Sequence, residues 1–393
     1  MKRKISETMS IHEHEFGKDD CSCEIQEDGK IKCLACAHEC VIPKGGSGIC
    51  AVRQNIDGEY LKLIVYGNAM HANAKDPIEK KRNQKLLTNS HKHSLIFYLA
   101  LYHVMSGSPT FSIATVGCNF SCAFCQNWNL SQCTKDLKKK LQAKGQSEML
   151  DIEVGRFGYQ LSPKTIVEKA VQSGCKIIAY TYNEPTIFFE YAIDTAKLAH
   201  ERGLVNVFKS NGYESERTVE AMKGLIDAVN VDLKSFRPEF YTKLCKSKVE
   251  NVMATIQRLH AAGIWVEVTT LLIPGQNDSD DELNAIAQFL ASISTDIPWH
   301  VTPFHPDYLM TDTPRCPPAT LERAYEIGKK HRLKFVYARS GDKNSSFCPK
   351  CGALLVTRKT IMTAKVVKKN FAEGKCLKCG EQIPGVWKFG ERK

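Results

Sequence analysis

Between residues 111 and 339 the chain alternates short apolar runs with segments of helical period, and nothing else in it limits the fold as much. The strand-like runs are Phe111–Val116, Lys176–Tyr182, Leu204–Ser210, Ala228–Lys234, Ile264–Ile273, Trp299–Phe304 and Phe335–Arg339. They are apolar and often β-branched, as strands covered by helices should be. The segments between them carry helix punctuation. Ser162 stands as an N-cap, Pro163 at the first helical position and Gly174 at the stop; glycine also closes Pro185–Gly203 and Arg237–Gly263, and Asp280–Ser292 and Pro318–Lys330 follow. Repeated βα units of about 30 residues call for parallel strands with right-handed crossovers. The expected class is therefore α/β, with about six units in a partial (β/α) barrel; a doubly wound open sheet is the structural alternative.

Around this core, residues 108–340, lie less regular stretches. The lysine-rich segment from about 133 to 158 is expected to be an inserted polar loop, and residues 81–107 an insertion or linker, partly helical around Leu95–Met105. Two cysteine-rich modules flank the core, at 1–80 and 345–393. The N-terminus has basic residues but no apolar stretch behind them, and no run is long enough to span a bilayer, so a cytoplasmic protein is expected. The net charge of +11 includes basic runs at Lys80–Arg82, Lys138–Lys140 and Lys368–Lys369. No aromatic-interleaved RNA motif accompanies them, so they read as solvated surface and nucleic acid is not the expected partner.

Seventeen cysteines, an odd number and clustered, suit metal thiolates better than a paired disulfide framework. Directly after the first strand, Cys118, Cys122 and Cys125 are spaced CxxxCxxC. Three thiolates can take three irons of a cuboidal cluster and leave the fourth open to a small chelating molecule. Zinc would want a fourth ligand that this loop lacks. Near the C-terminus, Cys348/Cys351 and Cys376/Cys379 form two CxxC-Gly knuckles, the pattern of a zinc ribbon, with rubredoxin-like iron as the alternative. Cys33, Cys36, Cys40 and Cys50 are close enough to ligate one centre, either zinc or an auxiliary iron–sulfur cluster, with His38 a conceivable substitute ligand. Cys21 and Cys23 read as further ligands or exposed thiols, and Cys175, Cys245 and Cys316 as ordinary packed or surface thiols.

CxxxCxxC after a strand, with Phe124 just before the last cysteine, resembles the signature of the radical S-adenosylmethionine (SAM) superfamily. That resemblance implies a partial (β/α)6 barrel, a [4Fe–4S] cluster, reductive cleavage of SAM and hydrogen abstraction by a 5′-deoxyadenosyl radical. It also implies roles at the strand ends, where barrel enzymes gather their chemistry. Asn183 and Glu184 occupy the place of the family's Gly-Gly-Glu and would hold the methionyl amino group, unless they simply start a helix at Pro185. Ser210-Asn211-Gly212-Tyr213 and Val231-Asp232-Leu233-Lys234 are similar to segments of glycyl-radical-enzyme activators. Ser210 and Asn211 would then reach the ribose and carboxylate of SAM, or form a plain turn; Asp232 and Lys234 would form a polar pair, for the ligand or for structure. Thr269, with Pro274 and Gly275, matches the region that backs the adenine, and His305 is a substrate-side candidate.

Further segments extend the likeness: Cys33 to Cys40, Gly48 to Arg53, Asp76 to Lys80, Cys125-Gln-Asn-Trp128, Phe304-His-Pro-Asp307 and the C-terminal pairs. They resemble the radical SAM member of the AmmeMemoRadiSam system, a relative of pyruvate formate-lyase activating enzymes. The implied partners are Memo-like and AMMECR-like proteins, an electron donor such as ferredoxin or flavodoxin, and a protein or small-molecule substrate. Activation of a glycyl radical enzyme is the first expectation, and modification of a small molecule or RNA follows. A non-catalytic, zinc-ribbon nucleic-acid-binding or scaffold protein is the rival of another class; the intact cysteine triad and Glu184 speak against it.

Overall fold

A computed structural model of the protein describes residues 15–16, 23–77, 84–85, 94–95, 101–359 and 365–390. All seven predicted apolar runs form strands of one sheet. In chain order the sheet comprises β1 (His71–Pro77), β2 (Pro109–Ala114), β3 (Ile177–Tyr180), β4 (Val205–Ser210), β5 (Ala228–Asp232), β6 (Trp265–Leu272), β7 (Trp299–Pro303) and β8 (Val336–Ala338). Strands β2 to β8 are parallel, and β1 adds to β2 antiparallel. The order is sequential from edge to edge. Sequential right-handed crossovers put every helix on one face, whereas a doubly wound sheet must reverse its order; the doubly wound alternative is therefore excluded. The sheet is open, because β1 and β8 do not pair with each other. The sequence reading did not foresee β1.

The helices are α1 (Cys133–Ala143), α2 (Pro163–Gln172), α3 (Phe189–Glu201), α4 (Glu216–Met222), α5 (Val249–Ala261), α6 (Asp280–Ile293) and α7 (Pro318–Lys330), with shorter turns between them. Helix α2 starts as its sequence dictates, with the Ser162 hydroxyl accepting from Thr165 N at 3.1 Å. Two predicted segments differ. The stretch 133–158 is not a polar loop: α1 and a short helix Leu150–Gly155 occupy it, and Leu137, Leu141, Leu150 and Val154, paired at i,i+4, pack into the main core. The segment 237–263 is not one helix. It breaks at the π-turn Tyr241–Cys245, and Lys246 then takes a left-handed conformation before α5 begins.

Alternation along the strands separates two cores. Ile178, Tyr180, Phe208 and Val229 belong to the large core that contains the helices. Their neighbours Ile177, Ala179, Val205, Val207, Ala228 and Trp265 pack instead against Leu101, Val104 and Val386. Residues 101–106 are turns, not the helix expected from Leu95 to Met105; residues 96–100 lie outside the described residues, as do Cys21 and 78–83. This plug fills the N-terminal half of the sheet's other face and leaves the C-terminal strand ends to form a cavity.

Candidate active site

The cysteine loop leaves β2 through Gly117, at φ +91°, where an added Cβ would lie 3.0 Å from each of Cys50 O, Thr134 Oγ1 and Val52 Cγ1. Its backbone is tied down at Ser121 N, which donates to Cys245 O at 3.0 Å, and at Ala123, whose N donates to Leu244 O at 2.9 Å and whose O accepts from Leu309 N at 3.0 Å. Cys118, Cys122 and Cys125 then line one cavity of about 170 Å³. Burial pushes the Cys125 thiol up to about 11, with the Ser131 hydroxyl 3.1 Å from its sulfur. The Cys122 thiol is raised as well, first by its hydrogen bond with Cys245 and then by burial. Cys245, which sequence reading treated as an ordinary thiol, is thus a direct neighbour of the triad, and the π-turn that delivers it gave no signal in the pattern.

Glu184 lines the same cavity and is 2% exposed. Its Oε1 accepts from Thr186 N (3.0 Å), Thr186 Oγ1 (2.6 Å) and Ser210 Oγ (3.0 Å), and its Oε2 from Asn211 N (2.7 Å). It therefore caps the turn Pro185–Phe188 and lines the cavity at once; the two readings of this residue do not exclude each other. Burial raises its pKa, against the lowering effect of these donors. Asn183 lines the cavity too but directs its amide to the cysteine loop, donating to Thr115 Oγ1 (3.0 Å) and Gly117 O (3.1 Å).

The predicted Asp232–Lys234 pair forms at 3.0 Å, and Lys209 completes it from β4 by pairing with the other oxygen of Asp232. Although burial opposes it, the two lysines hold Asp232 below the usual carboxylate range. Thr269 donates to Asn230 Oδ1 at 2.9 Å and, with Phe124, lines the same cavity. Pro274 and Gly275 do not line it; they sit on the turn after β6, where Asn277 fastens the backbone by donating to Lys234 O and Leu271 O. His305 stands behind the lining residue Gln126, its Nδ1 3.1 Å from Gln126 Nε2. Lys209 and Ser131 were not singled out from sequence, and Gln126, Asn127 and Tyr182 were given no role there. Lys209 was legible, since it shares the face of β4 that leads to the cavity; Tyr182, at φ +74°, was not.

Two lining atoms, Asn127 Oδ1 and Asn211 Oδ1, are buried without a hydrogen-bond partner. Unpaired buried acceptors are costly unless a ligand supplies donors. Three thiols, a fixed carboxylate and these acceptors around one cavity fit a cluster with an amino-acid-bearing ligand.

The C-terminal cysteines converge: Cys348, Cys351, Cys376 and Cys379 have all four sulfurs within 4.8 Å of one another, the spread of ligands around a single ion. They pack with Tyr102, Phe335 and Tyr337, beside the plug and away from the cavity. The N-terminal four, Cys33, Cys36, Cys40 and Cys50, share a small separate cavity with His38 and Asn119. Burial raises all four thiols, and each is raised further by the charge of another member of the set. Helix α1 bridges this module and the active site: Thr134 donates to Cys50 O at 2.9 Å, Lys138 to Ser47 O at 2.8 Å and Lys135 to Ser121 Oγ at 2.8 Å. Lys138 is therefore not part of a freely solvated basic run. No helix among the described residues is long and apolar enough to cross a membrane.

The Radical SAM superfamily model matches residues 112–290. Over 362 residues the chain is 35% identical to the uncharacterized protein MJ0808 of Methanocaldococcus jannaschii, covering 91% of this chain and 96% of that protein. Over 108 residues it is 28% identical to the benzylsuccinate synthase activating enzyme of Thauera aromatica, covering 27% of this chain and 33% of that enzyme. Among solved structures, a radical SAM methyltransferase from Sphaerobacter thermophilus aligns with 63% of this chain and 68% of its own, at 16% identity and a TM-score of 0.44.

Proposed function

The chain belongs to the radical SAM superfamily, and on that premise we propose that it abstracts hydrogen from a glycyl residue of a partner protein. When bound, the cluster and SAM would supply the chemistry, reductive cleavage of SAM and hydrogen-atom abstraction, with the electron coming from an external donor. The protein's part is to bind, orient and keep water out. Cys118, Cys122 and Cys125 would each hold one iron. Glu184, fixed by donors from Thr186, Ser210 and Asn211, suits an ammonium group by charge and hydrogen bonding. Asn127 and Asn211 offer the acceptors that ligand hydroxyl or amino groups would fill. Phe120, Phe124 and Leu271 add apolar surface to the wall, which helps to keep the reacting atoms dry.

The observation that carries the radical SAM part is that the three loop thiols and Glu184 line one cavity at the strand ends. The finer reading is supported by the segments Ser210–Tyr213 and Val231–Lys234, which resemble those of glycyl-radical-enzyme activators and contribute to that wall. The similarity to the Thauera activating enzyme points the same way. A ferredoxin or flavodoxin would serve as electron donor, and zinc would fill the C-terminal set.

The test is release of 5′-deoxyadenosine by anaerobically reconstituted protein given SAM and dithionite, beside a Cys125→Ala control. Release that disappears in the control is expected. Adding the partner should then yield a glycyl radical doublet in the EPR spectrum. Turnover of a small molecule with no doublet would replace the glycyl reading, and a fully loaded protein inert with every partner would overturn both.

A further inference from the structure

Four cysteines take no part in the site above. Cys33 ends the strand Ile31–Cys33, Cys36 and Cys40 lie on the turn that follows, and Cys50 precedes the strand Arg53–Ile56. Three segments thus aim four thiols into one cavity.

The spread of the sulfurs separates the cysteine sets of this protein. In the C-terminal set, Cys348 and Cys379 are 3.6 Å apart and Cys351 and Cys376 3.7 Å, edges suited to a tetrahedron around one ion. Among the described residues, no three sulfurs of the N-terminal set come within 4.8 Å of one another, and neither do those of Cys118, Cys122 and Cys125. A cuboidal cluster puts each thiolate on a different iron and so holds its ligands further apart than one ion does. His38 also lines the cavity and its Nε2 donates to Asn119 O at 3.0 Å; the four sulfurs by themselves already supply one thiolate for each iron of a cuboidal cluster.

We propose that Cys33, Cys36, Cys40 and Cys50 hold a second [4Fe–4S] cluster. With four thiolates it has no open iron, so it binds no SAM and serves electron transfer or structure. It stands next to the first site. Asn119, the residue after Cys118, lines its cavity, and the turn carrying Cys36 docks on the end of β4 through Ala37 N to Tyr213 O at 2.9 Å. The comparison uses the Cys118 triad as its yardstick and to that extent rests on the radical SAM reading.

The test is metal and sulfide analysis of anaerobically prepared full-length protein. A Cys118→Ser/Cys122→Ser/Cys125→Ser variant should keep about four irons and four sulfides per chain, with the EPR signal of a reduced [4Fe–4S] centre. The complementary Cys33→Ser/Cys50→Ser variant should lose about half of the iron and sulfide and leave the ion of the C-terminal set in place. A circular-dichroism spectrum and melting transition like the parent's report that the variant chain is folded. A triad variant with no sulfide and a second equivalent of zinc overturns the proposal. The radical SAM reading fails separately, by absence of 5′-deoxyadenosine from the fully loaded parent protein.

Discussion

Asp232 holds a lysine on each of its carboxylate oxygens, and all three side chains are largely out of water. Asp232→Asn leaves two ammonium groups facing each other without a counter-ion. We expect a loss of about 1–3 kcal/mol in urea unfolding, below the full cost of breaking a buried pair because Asp232 is 29% exposed. Its depressed pKa sets the sign with pH: the contribution is complete above the ordinary value of 3.8 and is lost as pH falls through the lower folded value. An unchanged unfolding midpoint in the variant would show that the triad of charges contributes nothing. Gly117 is constrained twice, by its positive φ and by the three atoms 3.0 Å from a would-be Cβ. Gly117→Ala should cost about 1–3 kcal/mol and displace the cysteine loop, read as lower melting temperature together with reduced iron loading.

At the level of elements, Glu267 on β6 ties the plug to the sheet. Fully buried, it accepts from Tyr102 N (2.9 Å), His103 N (2.8 Å), Trp265 Nε1 (3.1 Å) and His300 Nε2 (2.6 Å). Burial would raise its pKa, but His300 and the other donors hold it below the ordinary range, so it is the ionised partner. Glu267→Ala strands two amides, an indole and an imidazole, and about 3–5 kcal/mol should be lost, with Glu267→Gln losing less. Equal losses for the two would show that the charge is irrelevant there. His103 donates from Nδ1 to Pro384 O at 2.7 Å and accepts at Nε2 from the Tyr337 hydroxyl at 2.7 Å, so its ring sits neutral between two elements. Burial pushes its pKa down to about 4. The unfolded chain therefore binds the proton first as pH falls from about 6.5 to 4, and stability should drop by about 3 kcal/mol over that window. The decline should be shallower in His103→Phe.

Over the whole molecule, the C-terminal module is joined to the sheet through the plug. Val386 N donates to His103 O and Met105 N to Val386 O, each at 2.8 Å, and Arg358 lies 3.9 Å from the centre of the Tyr102 ring. An ion among Cys348, Cys351, Cys376 and Cys379 would thus stabilise the floor under the active site as well as its own knuckle. Removing it with a chelator should lower the melting temperature and speed hydrogen exchange across residues 101–106. Exchange that quickens only within 346–390 would mean the module is independent of the sheet.

The βα rhythm, the helix cap at Ser162, and the spacing of Cys118, Cys122 and Cys125 are local facts, and so the sequence alone determined the seven parallel strands β2 to β8, though not the antiparallel β1, and the position of the cysteine loop. Burial patterns of period two and 3.6 need only neighbours along the chain to be read. What tertiary structure decided depends on residues far apart in sequence. Lys209 meets Asp232 because β4 and β5 pair in a particular register, Cys245 meets Cys122 because a π-turn swings it there, and Glu267 finds its donors at residues 102, 103 and 300. The polar-looking segment 133–158 becomes helical because its few leucines find a core to enter, and its lysines find carbonyls on the N-terminal module. Such partners are fixed by where the strands bring the chain, and no local pattern encodes them.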